Sequence, residues 1–234
     1  MSEELLKLTD VHAYYGESHI LHGVDLSVRR GEVVALLGRN GSGRSTLLKS
    51  IMGLVDKRKG SIRIGGQESV SLPSHKIARM GIGYCPEERG IFSGLSCEEN
   101  LLLPPKIKDG GLTVNELYDV FPNIKERRAS PGTRLSGGEQ QMLALARIMR
   151  SGAHLLLLDE ISEGLAPVIV QALGRTIRLL RDKGYTVLMV EQNFRFAAPL
   201  ADQFHIVEHG RIVSSFAADE LSSHMGLLHE YLGV

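Results

Sequence analysis

The chain has no tryptophan, only two cysteines and no excess of either charge. Its 27 Lys and Arg balance 27 Asp and Glu, which argues against a nucleic-acid partner held by broad attraction to phosphate. Cys85 and Cys97 form no CxxC motif and are too few for a disulfide framework, so we expect free thiols in a reducing compartment. The apolar runs are too short to span a membrane, and the start MSEELLKLTD lacks the apolar stretch of a secretory signal. These absences predict a cytoplasmic protein whose attachment to a membrane, if any, goes through another protein.

What the chain does contain is a globular composition, with 43% apolar and 23% charged residues in 234 positions. A chain of this length can bury about 70% of its unfolded surface as one domain. Apolar residues alternate over the first 30 positions, which predicts short antiparallel strands. A continuous apolar run at 33–37, a glycine-rich turn and helical spacing at 46–52 predict a buried strand, a loop and a helix. Alternation between 60 and 67 predicts a further hairpin.

The middle of the chain, from 74 to about 150, has mainly helical spacing and predicts a helical insert. Strand patterns return at 155–158 and 186–190, with a helical pattern over 168–181 between them. A strand, helix, strand unit of this kind favours a parallel sheet. Residues 204–213 predict a hairpin, and a last helix is expected from Asp219 toward Tyr231.

Residues 38–46, with the sequence GRNGSGRST, follow a buried strand and open a helix. This is the context that a phosphate-binding GxxxxGK[ST] loop requires, because glycines turn backbone N–H groups inward at the positive end of a helix dipole. Ser45 can place its hydroxyl on a Mg²⁺ ion that bridges two phosphates. A glycine-rich turn without a ligand is the alternative, which the strand and helix context argues against. The candidate nucleotide-binding residues here are Gly38, Asn40, Gly41, Ser42, Gly43, Arg44, Ser45 and Thr46.

Arg44 stands where such a loop normally carries lysine. The positive charge is kept, but a planar fork of donors replaces a compact point donor, and the two are not interchangeable at a tightly packed phosphate. We therefore expect nucleotide binding to survive this exchange better than hydrolysis.

A hydrophobic strand pattern at 155–158 ends in two carboxylates, Asp159 and Glu160. Asp159 would hold Mg²⁺ directly or through water, and Glu160 would orient or activate the attacking water. A solvated turn is the alternative for an isolated Asp-Glu pair. The presence of a phosphate loop in the same chain makes this alternative weak.

Residues 135–141, LSGGEQQ, stand at the start of a predicted helix and are called here the signature segment. Ser136, Gly137 and Gly138 present exposed backbone donors, and hence a second phosphate-binding surface. With a single phosphate loop per chain, the economical explanation is that this surface binds the nucleotide of another subunit. An ordinary helix cap is the alternative.

The ordered set of phosphate loop, signature segment and LLLLDE resembles the ATP-binding subunit of an ABC transporter over essentially all 234 residues. The resemblance implies one α/β domain, a RecA-like P-loop NTPase core with an antiparallel β subdomain and a helical insert. It places the core at 1–86 and 154–234, and the insert with its signature segment at 87–153. It also implies ATP and Mg²⁺ as ligands, and two chains, identical or different, that sandwich two ATP molecules head to tail.

Three further positions take a role from this resemblance. Tyr15 matches the aromatic residue that stacks on adenine, with a buried core tyrosine as the alternative. Glu87 falls where most members carry a glutamine that touches Mg²⁺ and the transmembrane partner, and a carboxylate can also ligate Mg²⁺. Gln192 falls where most members carry a histidine near the γ-phosphate; its amide can donate a hydrogen bond but cannot shuttle a proton.

The segments PEERG at 86–90, EGLAP at 163–167 and VEQN at 190–193 resemble the ATPases of branched-chain amino acid importers. Close relatives of that branch carry urea and short amides, so this cargo is an alternative. The resemblance implies integral membrane permeases, an indirect link to a solute-binding receptor, and a location on the inner face of the cell membrane. Arg44 and Ile161, which replaces the usual proline, depart from the branch, and Ala166 stands where aspartate is usual in the wider family.

Two other functions stay open. Arg44 motivates a nucleotide-binding subunit with weak hydrolysis that is paired with a more active ATPase chain. An ABC protein acting on ribosomes or DNA is disfavoured, because such proteins usually carry two ATPase units or a long coiled-coil insertion.

Overall fold

A computed structural model describes residues 3–233 of the chain. The strands are β1 (Glu4–Tyr15), β2 (Ser18–Arg29), β3 (Val33–Leu37), β4 (Lys57–Ile64), β5 (Gln67–Glu68), β6 (Ile82–Cys85), β7 (Leu155–Asp159), β8 (Thr186–Glu191), β9 (Gln203–Glu208) and β10 (Arg211–Ala217). The helices are α1 (Arg44–Met52), α2 (Ser74–Arg79), α3 (Cys97–Leu102), α4 (Val114–Val120), α5 (Pro122–Glu126), α6 (Gly137–Arg150), α7 (Pro167–Asp182), α8 (Phe194–Ala197) and α9 (Met225–Leu232). Two short 3₁₀ helices cover Gly132–Arg134 and Ala218–His224.

The larger sheet has the order β10-β9-β3-β8-β7-β6, and all its strands except β10 run parallel. Every residue of β3, β7 and β8 is buried, which accounts for their uninterrupted apolar sequences. Because parallel strands end at one edge, Gly38, Pro86, Glu160 and Gln192 all leave the sheet on the same side. This topology, predicted from the strand and helix alternation, is confirmed and brings four distant segments together.

The smaller sheet is antiparallel, with the order β2-β1-β4-β5, and covers α1 from the other side. Its apolar positions, such as Leu6, Leu8 and Ile62, are fully or almost fully buried. The antiparallel strands predicted for the start of the chain and for 60–67 are therefore confirmed, although β1 and β2 are longer than expected. Several register shifts interrupt the pairing of β1 with β2.

The structure differs from the sequence prediction at three points. β6 lies inside the stretch predicted to be mainly helical, because its four residues IGYC become a strand by pairing with β7. The helices α1 and α6 begin earlier than predicted, at Arg44 and Gly137. The last predicted helix is divided into a 3₁₀ helix and α9.

Both cysteines lie in the described part of the chain, where each is buried and unpaired, as predicted. None of the helices between residues 3 and 233 is long and apolar enough to cross a bilayer.

Candidate nucleotide site

The loop between β3 and α1 is shaped by glycines, of which one leaves no room for a side chain and two have a left-handed backbone. A methyl group on Gly38 would lie 2.4 Å from the carbonyl oxygen of Val207. Gly41 and Gly43 have φ angles of 80° and 103°, in the left-handed region that favours glycine. The carbonyl of Ser42 accepts a hydrogen bond from the N–H of Gly210 at 2.8 Å, which fixes the loop against the turn between β9 and β10.

The helix α1 begins directly at this loop, and no side chain in the described chain caps its first turn. The uncapped N–H groups and the positive dipole end are therefore available to an anion. Two further donors also indicate an anion site. Ser42 Oγ and Arg44 Nη1 are buried without a hydrogen-bond partner among residues 3–233. Buried polar atoms without partners are costly, and a phosphate would supply the missing acceptor.

Ser45 and Asp159 form the second part of the site. The Ser45 hydroxyl donates to Oδ1 of Asp159 at 2.8 Å, across the gap between α1 and the end of β7. The Tyr84 hydroxyl donates to the other oxygen, Oδ2, at 3.0 Å. Burial raises the pKa of Asp159, while these two hydrogen bonds act in the opposite direction. A hydroxyl beside a carboxylate is a donor set that suits Mg²⁺, so the residues present fit the metal.

Glu160 follows Asp159 with a φ angle of 47°, in the left-handed region. Its N–H donates to the carbonyl of Val190 at 2.9 Å, which holds this backbone conformation in place. Burial raises the pKa of the Glu160 carboxyl, a hydrogen bond with Glu163 acts in the same direction, and the charge of Arg44 opposes both. A carboxyl whose pKa is raised is a stronger base than an ordinary glutamate, as a general base requires.

Arg44 contacts Glu160 directly. Its Nη2 lies 2.8 Å from Glu160 Oε1 and 3.3 Å from Asn40 Oδ1. The two side chains are only 3% and 9% exposed, so this is a buried ion pair. Burial lowers the pKa of Arg44, and Glu160 is the strongest opposing charge. The sequence placed both residues in the site but did not indicate this contact.

Glu191 is a second buried carboxyl that the sequence analysis did not select. It is 1% exposed and accepts hydrogen bonds from the Ser162 hydroxyl at 2.7 Å and from the Ser162 N–H at 3.2 Å. Burial raises its pKa to about 7. This contact ties the turn after Glu160 to the end of β8. A signal was present, because TVLMVE ends an apolar run with an acid, as LLLLDE does.

The remaining candidates of this region are more exposed. Tyr15 ends β1 and is 38% exposed, so the alternative of a buried core tyrosine is wrong. Gln192 is exposed and lines an open cleft of about 1250 Å³ together with Glu160 and Glu163. Glu87 is also exposed, and within the described chain it makes no side-chain hydrogen bond to Ser45 or Asp159.

Ile161 and Ala166 have plain structural roles. Ile161 is buried in the core, so the residue that replaces proline contributes apolar packing. Ala166 precedes α7, which begins with Pro167 and has no side-chain cap from any residue of the described range 3–233.

The signature segment lies at the start of α6. Among residues 3–233, no hydrogen bond joins it to the phosphate loop of the same chain. Ser136 caps α6 by accepting from the N–H of Glu139 at 3.3 Å, and Glu139 accepts from the N–H of Ser136 at 2.7 Å. A methyl group on Gly138 would lie 2.8 Å from Ile169, so glycine is required where α6 meets α7. Ser136 therefore does cap α6, as the alternative in the sequence analysis states, and it is exposed to solvent.

The last helix is attached to the phosphate loop. Arg39 donates from Nε to the carbonyl of Tyr231 at 3.0 Å and from Nη2 to the carbonyl of Glu230 at 3.2 Å. These are the last turns of α9, where free carbonyls accept from a cation.

A phosphate loop at the edge of a parallel sheet, with a Ser-Asp pair and a buried glutamate beside it, defines the class of P-loop nucleotide-binding proteins. A sequence profile of the family described as "ABC transporter" matches residues 21–163. The chain belongs to this family, and the resemblance stated from its motifs is confirmed.

Three curated relatives show where the chain lies within the family. It is 42% identical over 232 residues to BraG of Pseudomonas aeruginosa, a high-affinity branched-chain amino acid transport ATP-binding protein, covering 98% of this chain and 100% of the relative. It is 35% identical over 227 residues to LivF of Archaeoglobus fulgidus, named for branched-chain amino acid transport, covering 94% and 95%. It is also 35% identical over 227 residues to LptB of Escherichia coli, from a lipopolysaccharide export system, covering 94% and 93%.

Solved structures confirm the predicted fold. A structure of an ATP-binding subunit of an ABC transporter superposes with a TM-score of 0.80 at 29% identity, covering 98% of this chain and 96% of the other. A dimeric post-hydrolysis state of an ATP-binding cassette, bound to ADP and Pi, superposes with a TM-score of 0.79 at 22% identity, covering 92% and 99%.

Proposed function

We propose that this chain binds and hydrolyses Mg-ATP to power an ABC importer for branched-chain or related hydrophobic amino acids. The observation that carries the proposal is the Ser45–Asp159 contact at the mouth of a phosphate loop, with Glu160 beside it. The cargo class is supported by the BraG relative, which aligns over nearly the whole of both chains.

Each site residue has a role in this proposal. The loop N–H groups of 38–46 and the Arg44 guanidinium hold the phosphates, and Ser45 and Asp159 ligate Mg²⁺. When bound, Mg²⁺ neutralises charge between two phosphates. Glu160 orients and activates the attacking water. The other roles follow the family resemblance: Tyr15 stacks on adenine, Gln192 donates to the γ-phosphate, and Glu87 supports the metal from the sheet edge.

Other chains complete the assembly. Ser136, Gly137 and Gly138 bind the nucleotide held by a second ATPase chain. Two observations support this role: Ser136 is exposed, and no hydrogen bond among residues 3–233 joins the signature segment to the phosphate loop of the same chain. Membrane permeases dock on the helical insert near Glu87, where Phe92 and Leu103 are exposed. A solute-binding receptor delivers the cargo to those permeases. The chain then lies in the cytoplasm on the inner face of the cell membrane.

There are three alternatives, one for the rate and two for the cargo. Weak hydrolysis, with a more active partner chain, is motivated by Arg44 at the position where lysine is usual. A different cargo is favoured by the LptB relative, from an export system, at 35% identity. Urea or a short amide is the third cargo, which the same branch of the family carries.

The direct test is Mg-ATP hydrolysis by the wild-type chain beside Glu160→Gln, with nucleotide binding measured on the same samples. We expect both chains to bind, and the wild-type rate to exceed that of Glu160→Gln by at least about a hundredfold. Equal rates in the two chains would contradict the assignment of Glu160. Binding without phosphate release by wild type would favour the weak-hydrolysis alternative.

The cargo requires a cellular test. Cells lacking the gene for this chain are expected to lose uptake of radiolabelled leucine and to regain it with the wild-type gene but not with Glu160→Gln. Unchanged leucine uptake with lost urea uptake would identify the other cargo class.

A further inference from the structure

Of the two terminal nitrogens of the Arg44 guanidinium, only Nη2 has hydrogen-bond acceptors among residues 3–233. Its Nη2 contacts two acceptors, Glu160 Oε1 at 2.8 Å and Asn40 Oδ1 at 3.3 Å. Its Nη1 is buried and has no partner anywhere in the described chain. The two nitrogens of one planar group therefore have opposite states: one is saturated by a carboxylate, and the other lacks an acceptor.

The unused nitrogen belongs to the anion site. Arg44 is the first residue of α1 and follows the glycine-rich loop, whose Ser42 Oγ is likewise buried without a partner within residues 3–233. A phosphate seated at this helix start would meet both unpartnered atoms. The contact with Glu160 does not have to break for this to happen, because it involves the other nitrogen.

We propose that Arg44 is a positioning residue that links the two anions of the reaction: Nη2 holds the Glu160 carboxylate while Nη1 receives a phosphate oxygen of the nucleotide. This inference rests on the proposed ATPase function and adds a fixed distance between the glutamate and the phosphate. Arg44 engages only Oε1 of the Glu160 carboxylate.

This arrangement explains why arginine at position 44 can do what lysine cannot. A guanidinium carries five donors in a rigid plane and stays charged, so it serves two anions at fixed geometry. An ammonium is a single point charge on a flexible stem, and it cannot hold two acceptors in the same relation. Arg44 then supports hydrolysis here instead of weakening it.

The test compares Arg44→Lys, Glu160→Gln and the double variant with wild type, and uses Arg58→Lys as the matched control. Arg58 lies in β4, outside the phosphate loop, and donates to the carbonyls of Ser50 and Leu72. Affinity for a non-hydrolysable ATP analogue with Mg²⁺ is measured by calorimetry, and turnover is measured on the same proteins. We expect Arg44→Lys to keep analogue affinity within about threefold, because the charge remains, and to lower turnover about ten- to a hundredfold, because the glutamate is misplaced.

The double variant shows whether Arg44 acts through Glu160. In the Glu160→Gln background, Arg44→Lys is expected to change the residual turnover less than about twofold, since the group it positions is gone. Arg58→Lys is expected to behave like wild type in both measurements. A large loss in the Glu160→Gln background would overturn the positioning role.

A readout independent of activity is the double-mutant cycle of Arg44 and Glu160 in chemical unfolding, without nucleotide and at saturating analogue. The proposal requires coupling in both conditions, because the ion pair persists when phosphate binds. Coupling that disappears with the analogue would overturn it and make the pair a latch that opens on binding. Turnover that rises in Arg44→Lys would also overturn it, whereas failure of wild type to bind the analogue would instead refute the proposed function.

Discussion

Two helices of this chain, α1 and α6, have glycines at or just before their first turn, and their starts are built in opposite ways. The start of α1 has no side-chain cap and is enclosed by β7, by the β9–β10 turn and by α9. The start of α6 is capped reciprocally by Ser136 and Glu139 and leaves Ser136 exposed. The first keeps its donors for a ligand within the chain, whereas the second satisfies part of its own end and faces outward. In the dimer that we propose, the first surface is one half of a site and the second is the complementary half of the site in the other chain.

The largest expected effect comes from mixing equal amounts of two inactive chains, Glu160→Gln and Ser136→Arg. The mixture tests whether the starts of α1 and α6 serve different subunits. If the two helix starts serve different subunits, a mixed dimer contains one site with both defects and one intact site. Half of the dimers are mixed, so activity should rise from near background to about a quarter of the wild-type rate. Phosphate release against mixing ratio is the measurement.

Co-purification of Ser136→Arg with a differently tagged Glu160→Gln chain is the control for this experiment, because it shows directly that the two variants fold and pair. An absence of recovery in the mixture of inactive chains would contradict a shared site between two copies of this chain.

The second prediction concerns neighbouring glycines of the signature segment. A methyl group on Gly138 meets Ile169 at 2.8 Å, whereas on Gly137 it meets the flexible end of Arg89 at 3.2 Å. We expect Gly138→Ala to lower the free energy of unfolding by about 1–3 kcal/mol relative to Gly137→Ala. Both substitutions gain the same helix propensity, so chemical denaturation of the two variants isolates the packing effect. Equal stability of the two would show that α6 and α7 separate easily.

The third prediction uses pH and the buried Glu191. Because its pKa is raised to about 7, the folded chain keeps this proton to higher pH than the unfolded chain does. Stability should therefore fall as pH rises from about 4.5 to 7, with a contribution of up to about 1.4 kcal/mol per pH unit, and stay level above that. Glu191→Gln should flatten this decline in denaturation curves recorded across the range. An unchanged decline would assign it to another group.

The smallest expected effect is that of Tyr84→Phe, which removes one hydrogen bond to Asp159. The Tyr84 hydroxyl orients the Asp159 carboxylate, so its loss should raise the Mg²⁺ concentration for half-maximal hydrolysis about tenfold. Maximal turnover at saturating Mg²⁺ should change little. A lower maximal rate with unchanged Mg²⁺ dependence would place Tyr84 in the chemistry instead of beside the metal ligand.

The predictable part of this protein is the part whose pattern is local. The strands β3, β7 and β8 are uninterrupted apolar runs because both faces are covered, and such runs are visible in a single sequence. The glycines of the phosphate loop follow from spacing alone. β6 was missed because four residues with a central glycine carry no periodicity, and only β7 makes them a strand.

The contacts inside the site follow a different rule. Arg44 and Glu160 are 116 positions apart, and Tyr84 is 75 positions from Asp159. Arg44, Asp159 and Glu160 stand in recognisable motifs, whereas Tyr84 does not. Which of them form pairs depends on the order of the strands in the sheet and on the length of the side chains, and neither can be deduced from the motifs. Glu191 is the exception, because its place at the end of an apolar strand resembled that of Asp159 closely enough to suggest a site residue.

The link between Arg39 and the end of α9 has a consequence for how the protein is made. The two residues joined by this hydrogen bond, Arg39 and Tyr231, are 192 positions apart. Translation at roughly 5–20 residues per second therefore separates them by about 10 to 40 s on the ribosome. A nascent chain that has exposed its phosphate loop must wait through that interval before Arg39 can donate to the carbonyls of α9, so this support of the loop forms only after α9 has been made.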